Sequence, residues 1–575
     1  MARRRSGRQP RISRREFIAG ATATAAVVVA GCAPFSGTST ARRAATATPF
    51  KATEPLVTGG DATVPANLLN SLVNTFTGHG GVEVAYTLAS PEPPPALFVS
   101  YGAAPKGYTG GATIAASAWA LATHPRVPVE NITHAQALGL LNGAITDWNA
   151  VGAPYSVPVK RFQLSLLPEP VGVPVKGATA LASYDALFTA LRNMPGAVAV
   201  LPADALDWSV HHVGVDGLFP TQGRGSGAGL GTLPLRLYVS DALARQGAKA
   251  AQIGENAHAA MASARNTLDL IAVGDIMLGR GVLNQMTARN DFSFPYRAIK
   301  PELDTGDLRM GNLECMVTDL VQPPSDPSTF TFVCPTKGYD GLKYAGFDIL
   351  TLANNHSNGE GQTVFNDMRS NLTKHGFLHG GGGDNLAEAT APVIASAKGM
   401  RVAILAYDNI LPQGPWATAN SWGLAPINVD TLPADFAAAR KQADLVIPYF
   451  HWGIEYTNDP TNYQQNVARA AIDAGADMVL GNHPHWTQGI ERYQGKLIIY
   501  SMGNFVFDQD WSEPTLEGML LHLYWRNGTL ASVRFVPTKD ASRCQPNIMT
   551  PAEAVGVFAR MWQGTDELAN GEYGP

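Results

Sequence analysis

The sequence predicts an α/β protein with more than one domain, and three observations support this prediction. The chain has 575 residues, which is too long for a single hydrophobic core. Short apolar runs alternate with helical segments along most of its length, as in α/β domains. The 58 glycines and 40 prolines indicate many loops and short elements rather than long helical bundles. We therefore expect two folded domains behind a targeting segment.

Residues 1–32 have the features of an export signal. A basic arm leads into an apolar stretch at 17–30, which is too short to span a bilayer comfortably as a mature helix. The segment SRREF at 13–17 resembles a twin-arginine signal, and VAGC at 29–32 resembles a lipobox, in which Cys32 is lipidated. A plain signal-anchor with a chance cysteine is the alternative. We expect an exported lipoprotein on the outer face of the cell membrane, with a flexible tether at 33–53.

Charge and cysteine content narrow the function classes. The net charge of −5, without a basic patch beyond the N-terminus, argues against a nucleic-acid partner. Besides Cys32 the chain has Cys315, Cys334 and Cys544. In an oxidising compartment Cys315 and Cys334 could form a disulfide and leave Cys544 free. A metal role for these cysteines is disfavoured because none has CxxC spacing.

Residues 54–264 form the first predicted domain, of the α/β class. The stretches at 121–152 and 196–206 resemble extracytoplasmic solute-binding proteins of the phosphate-binding type. This resemblance implies a periplasmic-binding-protein-like domain that holds an oxyanion at helix N-termini. The stretch GGDATV at 59–64 occupies the place of a ligand loop and supplies Asp61 and Thr63. A binding-protein fold that has lost its ligand is the alternative.

The second predicted domain, residues 265–540, contains apolar runs that end in polar residues. Continuous apolar runs are typical of buried strands, and sites in α/β sheets lie at the carboxyl ends of strands. We therefore expect these polar residues to converge on one site. They are Asp275, Glu314, Asn354, Asn355, His356, His451, His483, His485 and Asn504.

The residue types at these strand ends indicate a divalent metal. Asp275 and Glu314 offer hard oxygens, Asn355 a neutral amide oxygen, and His451, His483 and His485 imidazoles. A mixed oxygen and nitrogen set without thiolate suits Mn, Fe or Zn rather than a structural cysteine site. We expect one or two ions, since a pair of metals is a common device for activating water against a phosphoester.

The motifs GDIMLGRG, NLE, LANNH, FHWGIEY and GNHPHWTQGIERYQGKLIIYSMGNFVFD resemble the CapA family of poly-γ-glutamate and capsule biosynthesis proteins. The family's domain is similar to the calcineurin-type metallophosphoesterase fold, a four-layer α/β/β/α sandwich. The resemblance spans about residues 267–538. It implies that the metal ligands are Asp275, Glu314, Asn355, His451, His483 and His485. It also implies a catalytic His356, which protonates a leaving oxygen or stabilises developing charge, and a catalytic Glu455, which lines the substrate cleft with Trp452.

This chain departs from the family pattern at two places. Met277 stands where the phosphoesterase D-x-H motif has its histidine, and Asn358 and Glu360 stand where an aspartate commonly follows NNH. Two functions stay open. One is a metal-dependent hydrolase or transferase acting on an envelope polymer or a small anionic substrate. The other is a non-catalytic protein that binds or tethers an anionic polymer.

Three further stretches complete the sequence predictions. The tail at 541–575 contains one helical pattern, PAEAVGVFARMWQ. His375, His379, Asp384 and the glycines of HGGGG at 379–383 are expected in a loop at the lip of the cleft. His211 and His212 are expected at the surface.

Overall fold

The computed structural model describes residues 58–60, 63–65, 68–69, 95–165, 167, 175–219, 229–249, 253, 266–326 and 328–568. They belong to one compact unit, Phe50–Pro575. The predicted signal, Cys32, the tether at 33–53 and Asp61 lie outside the described residues. Among the helices in the described ranges, none combines the length and apolar character needed to cross a membrane.

The first part, residues 58–249, is a nine-stranded mixed sheet with helices. The main path runs β1-β2-β9-β3-β7-β5-β6, and β8 pairs with both β3 and β4. The elements are β1 Thr58–Gly60, β2 Leu97–Ser100, β3 Tyr108–Thr123, β4 Asn131–Ile132, α1 His134–Asn142, β5 Lys160–Leu164, β6 Thr179–Leu181, α2 Tyr184–Asn193, β7 Ala197–Pro202, β8 His211–Val215, β9 Thr232–Ser240 and α3 Asp241–Arg245. The long strand β3 holds the sheet together, because it pairs with β9 along most of its length and with β7 and β8 at its end.

The second part, residues 266–568, contains two large sheets. Its strands are β10 Thr267–Ile276, β11 Leu308–Leu313, β12 Met316–Val317, β13 Val333–Cys334, β14 Ile349–Thr351, β15 Leu378–Gly380, β16 Gly382–Gly383, β17 Val393–Ala397, β18 Met400–Asp408, β19 Gly423–Leu424, β20 Leu445–His451, β21 Met478–Asn482, β22 Ile490–Tyr493, β23 Lys496–Ile499, β24 Asn504–Val506, β25 Glu517–Arg526, β26 Thr529–Ala541 and β27 Gln545–Ile548. One sheet has the order β15-β14-β11-β10-β25-β26-β27, with β24 beside β10, and the other has the order β17-β18-β20-β21-β23-β22.

The helices of the second part connect these strands, and two of them begin at a capping box. They are α4 Arg280–Arg289, α5 Lys300–Leu303, α6 Gly338–Ala345, α7 Gln362–Lys374, α8 Leu386–Ala389, α9 Leu432–Arg440, α10 Asn462–Asp473, α11 Glu513–Leu516 and α12 Pro551–Asp566. Helix α10 begins at the capping box of Thr461 and Gln464. Helix α12 begins at the capping box of Thr550 and Glu553, with Pro551 in its first turn.

The two sheets pack face to face and carry helices on their outer faces. In β10, Leu268, Leu270 and Ala272 face the core between the sheets, whereas Ile271 and Val273 face the helical side. Both faces of this strand are therefore buried, which explains its continuous apolar run. Helices α4, α6 and α7 cover the eight-stranded sheet, and α9 and α10 cover the six-stranded sheet. The predicted α/β class and the four-layer α/β/β/α order are confirmed.

The first part is attached to the β25–β26 hairpin and to the β22–β23 turn of the second part. Arg526 donates to the carbonyl of Ala203 at 3.2 Å and to the Asp204 carboxylate at 3.3 Å. The Ser532 hydroxyl lies 2.6 Å from the His212 ring. Trp208 donates its indole N–H to the Gly495 carbonyl at 3.1 Å. These polar contacts join side chains that are separated by about half of the chain.

The structure answers one question that the sequence left open, the state of two cysteines, and it contradicts two sequence predictions. Cys315 and Cys334 are free thiols buried in the core of the eight-stranded sheet, where burial raises the pKa of Cys315 to about 12. The HGGGG stretch forms β15 and β16 instead of a loop, because residues 378–380 extend the sheet beside β14. His212 is buried in β8 rather than exposed.

Candidate metal centre

The carboxyl ends of parallel strands place two rows of polar residues at one end of the sandwich. In the eight-stranded sheet, Asp275, Asn312 and Thr351 are register partners across β10, β11 and β14. In the six-stranded sheet, Asp408, His451 and Asn482 are register partners across β18, β20 and β21. Apolar side chains earlier in each strand fill the core, so the first polar position after them faces the space where the rows meet.

Three buried side chains form a group that could hold a metal ion. Ligand atoms of Asp275, Glu314 and His485 lie within 4.8 Å of one another. The Asp275 Oδ2 atom is 3.7 Å from His485 Nδ1. Glu314 Oε1 is in turn 3.9 Å from His356 Nε2 and 3.9 Å from His451 Nε2. Glu314 therefore lies between the Asp275 carboxylate and the His356 and His451 rings.

Several ligand atoms at this position lack a hydrogen-bond partner. Within the part of the chain that the structure describes, Asp275 Oδ2, both carboxylate oxygens of Glu314 and His483 Nδ1 are buried without one. A buried polar atom without a partner costs about 1–3 kcal/mol. A divalent cation would satisfy these oxygen and nitrogen atoms together, so the donor set fits such an ion.

Burial keeps His356, His451 and His483 neutral and makes the Asp275 and Glu314 carboxyl groups hard to ionise. Desolvation holds the pKa of His451 and His483 well below the usual value, and lowers that of His356 to about 3. Desolvation also raises the pKa of Asp275, and it raises that of Glu314 well above its usual range with help from the Asp275 charge. Neutral imidazoles keep a lone pair for a metal, and a bound cation would favour ionised carboxylates.

The histidines after β21 have an unusual backbone conformation. His483 has φ +99° and His485 has φ +59°, a left-handed region that non-glycine residues rarely adopt. Such strain persists where the surrounding structure holds it, and it is concentrated at functional sites. Both side chains are buried, and their ring centroids are 5.9 Å apart. This turn directs both rings of the HPH motif into the centre.

The remaining predicted site residues lie at the same end. Asn355 Oδ1 is 2.9 Å from His451 Nε2, and Asn355 Nδ2 is 3.0 Å from His356 Nε2. The Glu455 side chain is 41% exposed and has an oxygen 3.9 Å from His485 Nε2, so it lies at the mouth of the centre. Trp452 is fully buried and donates to the Tyr500 carbonyl. The prediction that Trp452 lines the cleft is therefore wrong.

Met277 and Asn358, two of the residues that depart from the family pattern, are both buried in the structure. Met277 is buried in the core on the helical side of β10. Asn358 is also buried; its amide group donates to the Pro415 carbonyl at 2.9 Å and accepts from the Gly414 amide at 3.0 Å. Asn358 therefore fixes the loop before α7 to the loop at 409–416.

Sequence reasoning missed several residues of the site, among them Asn312 and Asp408. Asn312 donates to Asp275 Oδ1 at 2.7 Å and accepts from Asn354 Nδ2 at 3.0 Å, so it orients the first carboxylate. Asp408 is fully buried beside His451 in the register, and burial raises its pKa to about 7. The available signal was a polar residue within or directly after a buried apolar run, as in RMGNL and VAILAYD.

Comparisons with known proteins match the second part of the chain. The family model described as bacterial capsule synthesis protein PGA_cap matches residues 269–509. The capsule biosynthesis protein CapA of Bacillus anthracis is 32% identical over 308 residues, which cover 52% of this chain and 74% of that protein. The PGA biosynthesis protein CapA of Bacillus subtilis is 32% identical over 258 residues, which cover 45% of this chain and 68% of that protein.

Among solved structures, an ABC-type phosphate transport receptor from Vibrio cholerae is 15% identical, with a TM-score of 0.26, and the match covers 36% of this chain and 97% of that one. The two CapA relatives have a higher sequence identity to this chain, 32% in each case. Their identity and coverage, together with the family model, show that the chain belongs to the CapA family of bacterial capsule synthesis proteins.

Proposed function

We propose that this protein is a metal-dependent hydrolase or transferase that acts on a phosphoester during the biosynthesis of capsule, poly-γ-glutamate or a related envelope polymer. The observation that carries the proposal is the buried group of Asp275, Glu314 and His485, in which carboxylate oxygens lack hydrogen-bond partners within the described residues. The names of the two Bacillus relatives support the polymer class. The mixed oxygen and nitrogen set supports Mn, Fe or Zn.

The position of each site residue supports a role in metal binding or in the proposed reaction. Asp275, Glu314 and His485 would hold the ion, with Asn355, His451 and His483 around them. A bound divalent ion would act as a Lewis acid toward a phosphoryl oxygen. His356 Nδ1 lies 2.9 Å from the Phe330 carbonyl, which favours the proton on that nitrogen. His356 Nε2 would then accept from Asn355 Nδ2, which lies 3.0 Å away. The resemblance to the family implies that His356 acts at the leaving oxygen, by protonating it or by stabilising the charge that develops there.

The N-terminal motifs support a proposal for where in the cell the protein lies. We propose a lipoprotein held at the outer face of the cell membrane through Cys32, on the evidence of SRREF and VAGC. Replacement Cys32→Ala in the producing cell should move the protein from the membrane fraction to the soluble exported fraction. Unchanged membrane association in that variant would contradict the anchor.

Metal content tests the proposed function directly. The full-length protein is loaded with Mn, Fe or Zn in turn, dialysed and measured by elemental analysis. We expect about one or two ions per chain, lost in a double variant His483→Ala, His485→Ala. His375→Ala is the matched control, because His375 lies at the end of α7 and stacks on Tyr339 at 4.7 Å.

Activity is then measured on metal-loaded protein with phosphoesters and γ-linked glutamate polymers. We expect metal-dependent turnover that the double variant abolishes and the control retains. Absence of bound metal under every loading condition would contradict the proposal and favour the alternative, a non-catalytic protein that binds an anionic polymer.

A further inference from the structure

Large apolar side chains are exposed around the mouth of the metal centre. Phe330 is 71% exposed, Leu411 80%, Ile454 61%, Trp511 59% and Tyr456 38%. They come from four separate loops of the second part. Scattered exposed apolar residues are ordinary, but a cluster beside a polar cleft indicates a binding surface. We call these five residues the apolar rim.

Contacts place the apolar rim directly beside the catalytic histidine. The Phe330 carbonyl accepts from Gln413 Nε2 at 2.6 Å and lies 2.9 Å from His356 Nδ1. Leu411 precedes Gln413 by two residues, and the Gln413 amide donates to the Asn355 carbonyl at 3.2 Å. The loops of Phe330 and Leu411 therefore meet at His356.

The other side of the mouth is formed by the loops after β20 and β24. Tyr456 stacks on His485 with ring centroids 6.0 Å apart, and its other neighbour is Trp511, also at 6.0 Å. Ile454 precedes Glu455, whose carboxylate oxygen is 3.9 Å from His485 Nε2. The apolar rim thus surrounds the same carboxylate and imidazole groups from opposite sides.

The charge of these loops indicates what they can bind. The segments at 328–332, 409–416, 452–458 and 508–513 contain no lysine or arginine, but they contain Glu455, Asp508, Asp510 and Glu513. Asp508, Asp510 and Glu513 pair with Arg280, Arg543 and Lys539, so these cations are already neutralised. A polyanion lying across the mouth would therefore meet the Glu455 carboxylate and cations that are already paired. An uncharged chain of methylene groups would instead bury the apolar side chains, while a single anionic group reached the centre.

We propose that the apolar rim binds the hydrocarbon chain of an amphipathic phosphoester whose phosphate group lies at the metal centre. This assigns the substrate class as a phosphate ester of a long-chain alcohol. The inference rests on the proposed function for the position of the phosphate group. The residues that bind the chain are separate from those that would hold the metal.

Binding of alkyl phosphates of increasing length tests this assignment. The full-length, Mn-loaded protein is titrated calorimetrically with ethyl, hexyl and decyl phosphate below their micelle concentrations. Each buried methylene group should tighten binding about fourfold, and the exposed rim should give at least about a tenfold gain from ethyl to decyl phosphate. The triple variant Leu411→Ser, Ile454→Ser, Trp511→Ser should lose that gain and keep its affinity for ethyl phosphate.

The control is Met194→Ser, which removes an apolar side chain that is 41% exposed at the end of α2. It should keep the dependence on chain length. Equal affinity for all three phosphates, or no binding of any of them, would overturn the assignment. Binding of the wild type and the triple variant to phosphatidylcholine vesicles is measured as well. The assignment would also be overturned if the triple variant kept the full dependence on chain length but lost binding to these vesicles, because the apolar rim would then contact a bilayer surface.

The same titrations separate this assignment from the proposed function. In one outcome, affinity still depends on chain length without Mn, and ethyl phosphate shows no metal-dependent binding. That outcome would refute the metal-dependent function and support the apolar rim. Metal-dependent binding of ethyl phosphate without any effect of chain length would refute the rim and leave the metal centre.

Discussion

Asp408 is a buried carboxyl group at the end of β18, and its environment makes the stability of the metal-free protein depend on pH. Its oxygens accept from the Ile410 amide at 3.0 Å and from the Trp416 indole at 3.3 Å, but burial dominates and raises its pKa from 3.8 to about 7. Below pH 3.8 the carboxyl group is protonated in both the folded and the unfolded chain. Between pH 3.8 and about 7 only the unfolded chain ionises, so the free energy of unfolding falls as pH rises.

Replacement Asp408→Asn should remove this dependence. The fall in the free energy of unfolding between pH 4 and pH 8 should be smaller in the variant than in the wild type, by up to about 4 kcal/mol. Urea denaturation in the presence of chelator measures the difference. Asp430→Asn, at an exposed position, is the control and should follow the wild type. Equal slopes for the Asp408 variant and the wild type would contradict the prediction.

At the scale of the element, the close approach of β10 to the turn before β24 positions Asp275. A Cβ atom on Gly274 would lie 1.9 Å from the Gly503 carbonyl oxygen, a backbone atom that cannot rotate away. Gly274→Ala should therefore displace Asp275, weaken metal binding and destabilise the protein by at least about 1–3 kcal/mol. Denaturation and metal content measure both effects.

The control for that prediction is a glycine-to-alanine substitution at a position where the added methyl group has room. Gly556 lies within helix α12, where a Cβ atom would lie 3.5 Å from the flexible end of the Arg560 side chain. Gly556→Ala should stabilise the protein by about 0.5–1 kcal/mol through helix propensity. A Gly274 variant as stable and as rich in metal as the Gly556 variant would show that the turn can move.

The elements that could be predicted from the sequence are those with long, continuous apolar runs. Strands β10, β11, β20 and β21 are fully or nearly fully buried, and the polar residue that follows each run marked the site. Two-residue strands such as β16 carry no periodicity of their own, and their pairing depends on distant residues. The role of Asn312 was missed for the same reason, since its partners Asp275 and Asn354 are 37 and 42 residues away.

At the scale of the whole molecule, the two parts are joined by buried polar groups that no local pattern predicts. Arg526 and Asp204 are each less than one-tenth exposed, and they are 322 residues apart in the chain. Sequence patterns indicate that each strand is buried, but they do not indicate which surfaces of two domains meet. We expect this contact to couple the unfolding of the first part to that of the second.

Arg526→Met tests the coupling. The variant leaves the Asp204 carboxylate buried without its guanidinium partner, a change that typically destabilises a protein by about 3–5 kcal/mol. Arg401→Met is the matched control, because the Arg401–Asp444 pair is 50% and 41% exposed and should contribute no more than about 1 kcal/mol. Calorimetry should show one cooperative unfolding transition in the wild type and the control. In the Arg526 variant the first part should unfold in a separate transition at a lower temperature. If the two variants unfold alike, the buried pair does not couple the two parts, and the apolar contacts of Trp208 with the sandwich core would have to hold them together.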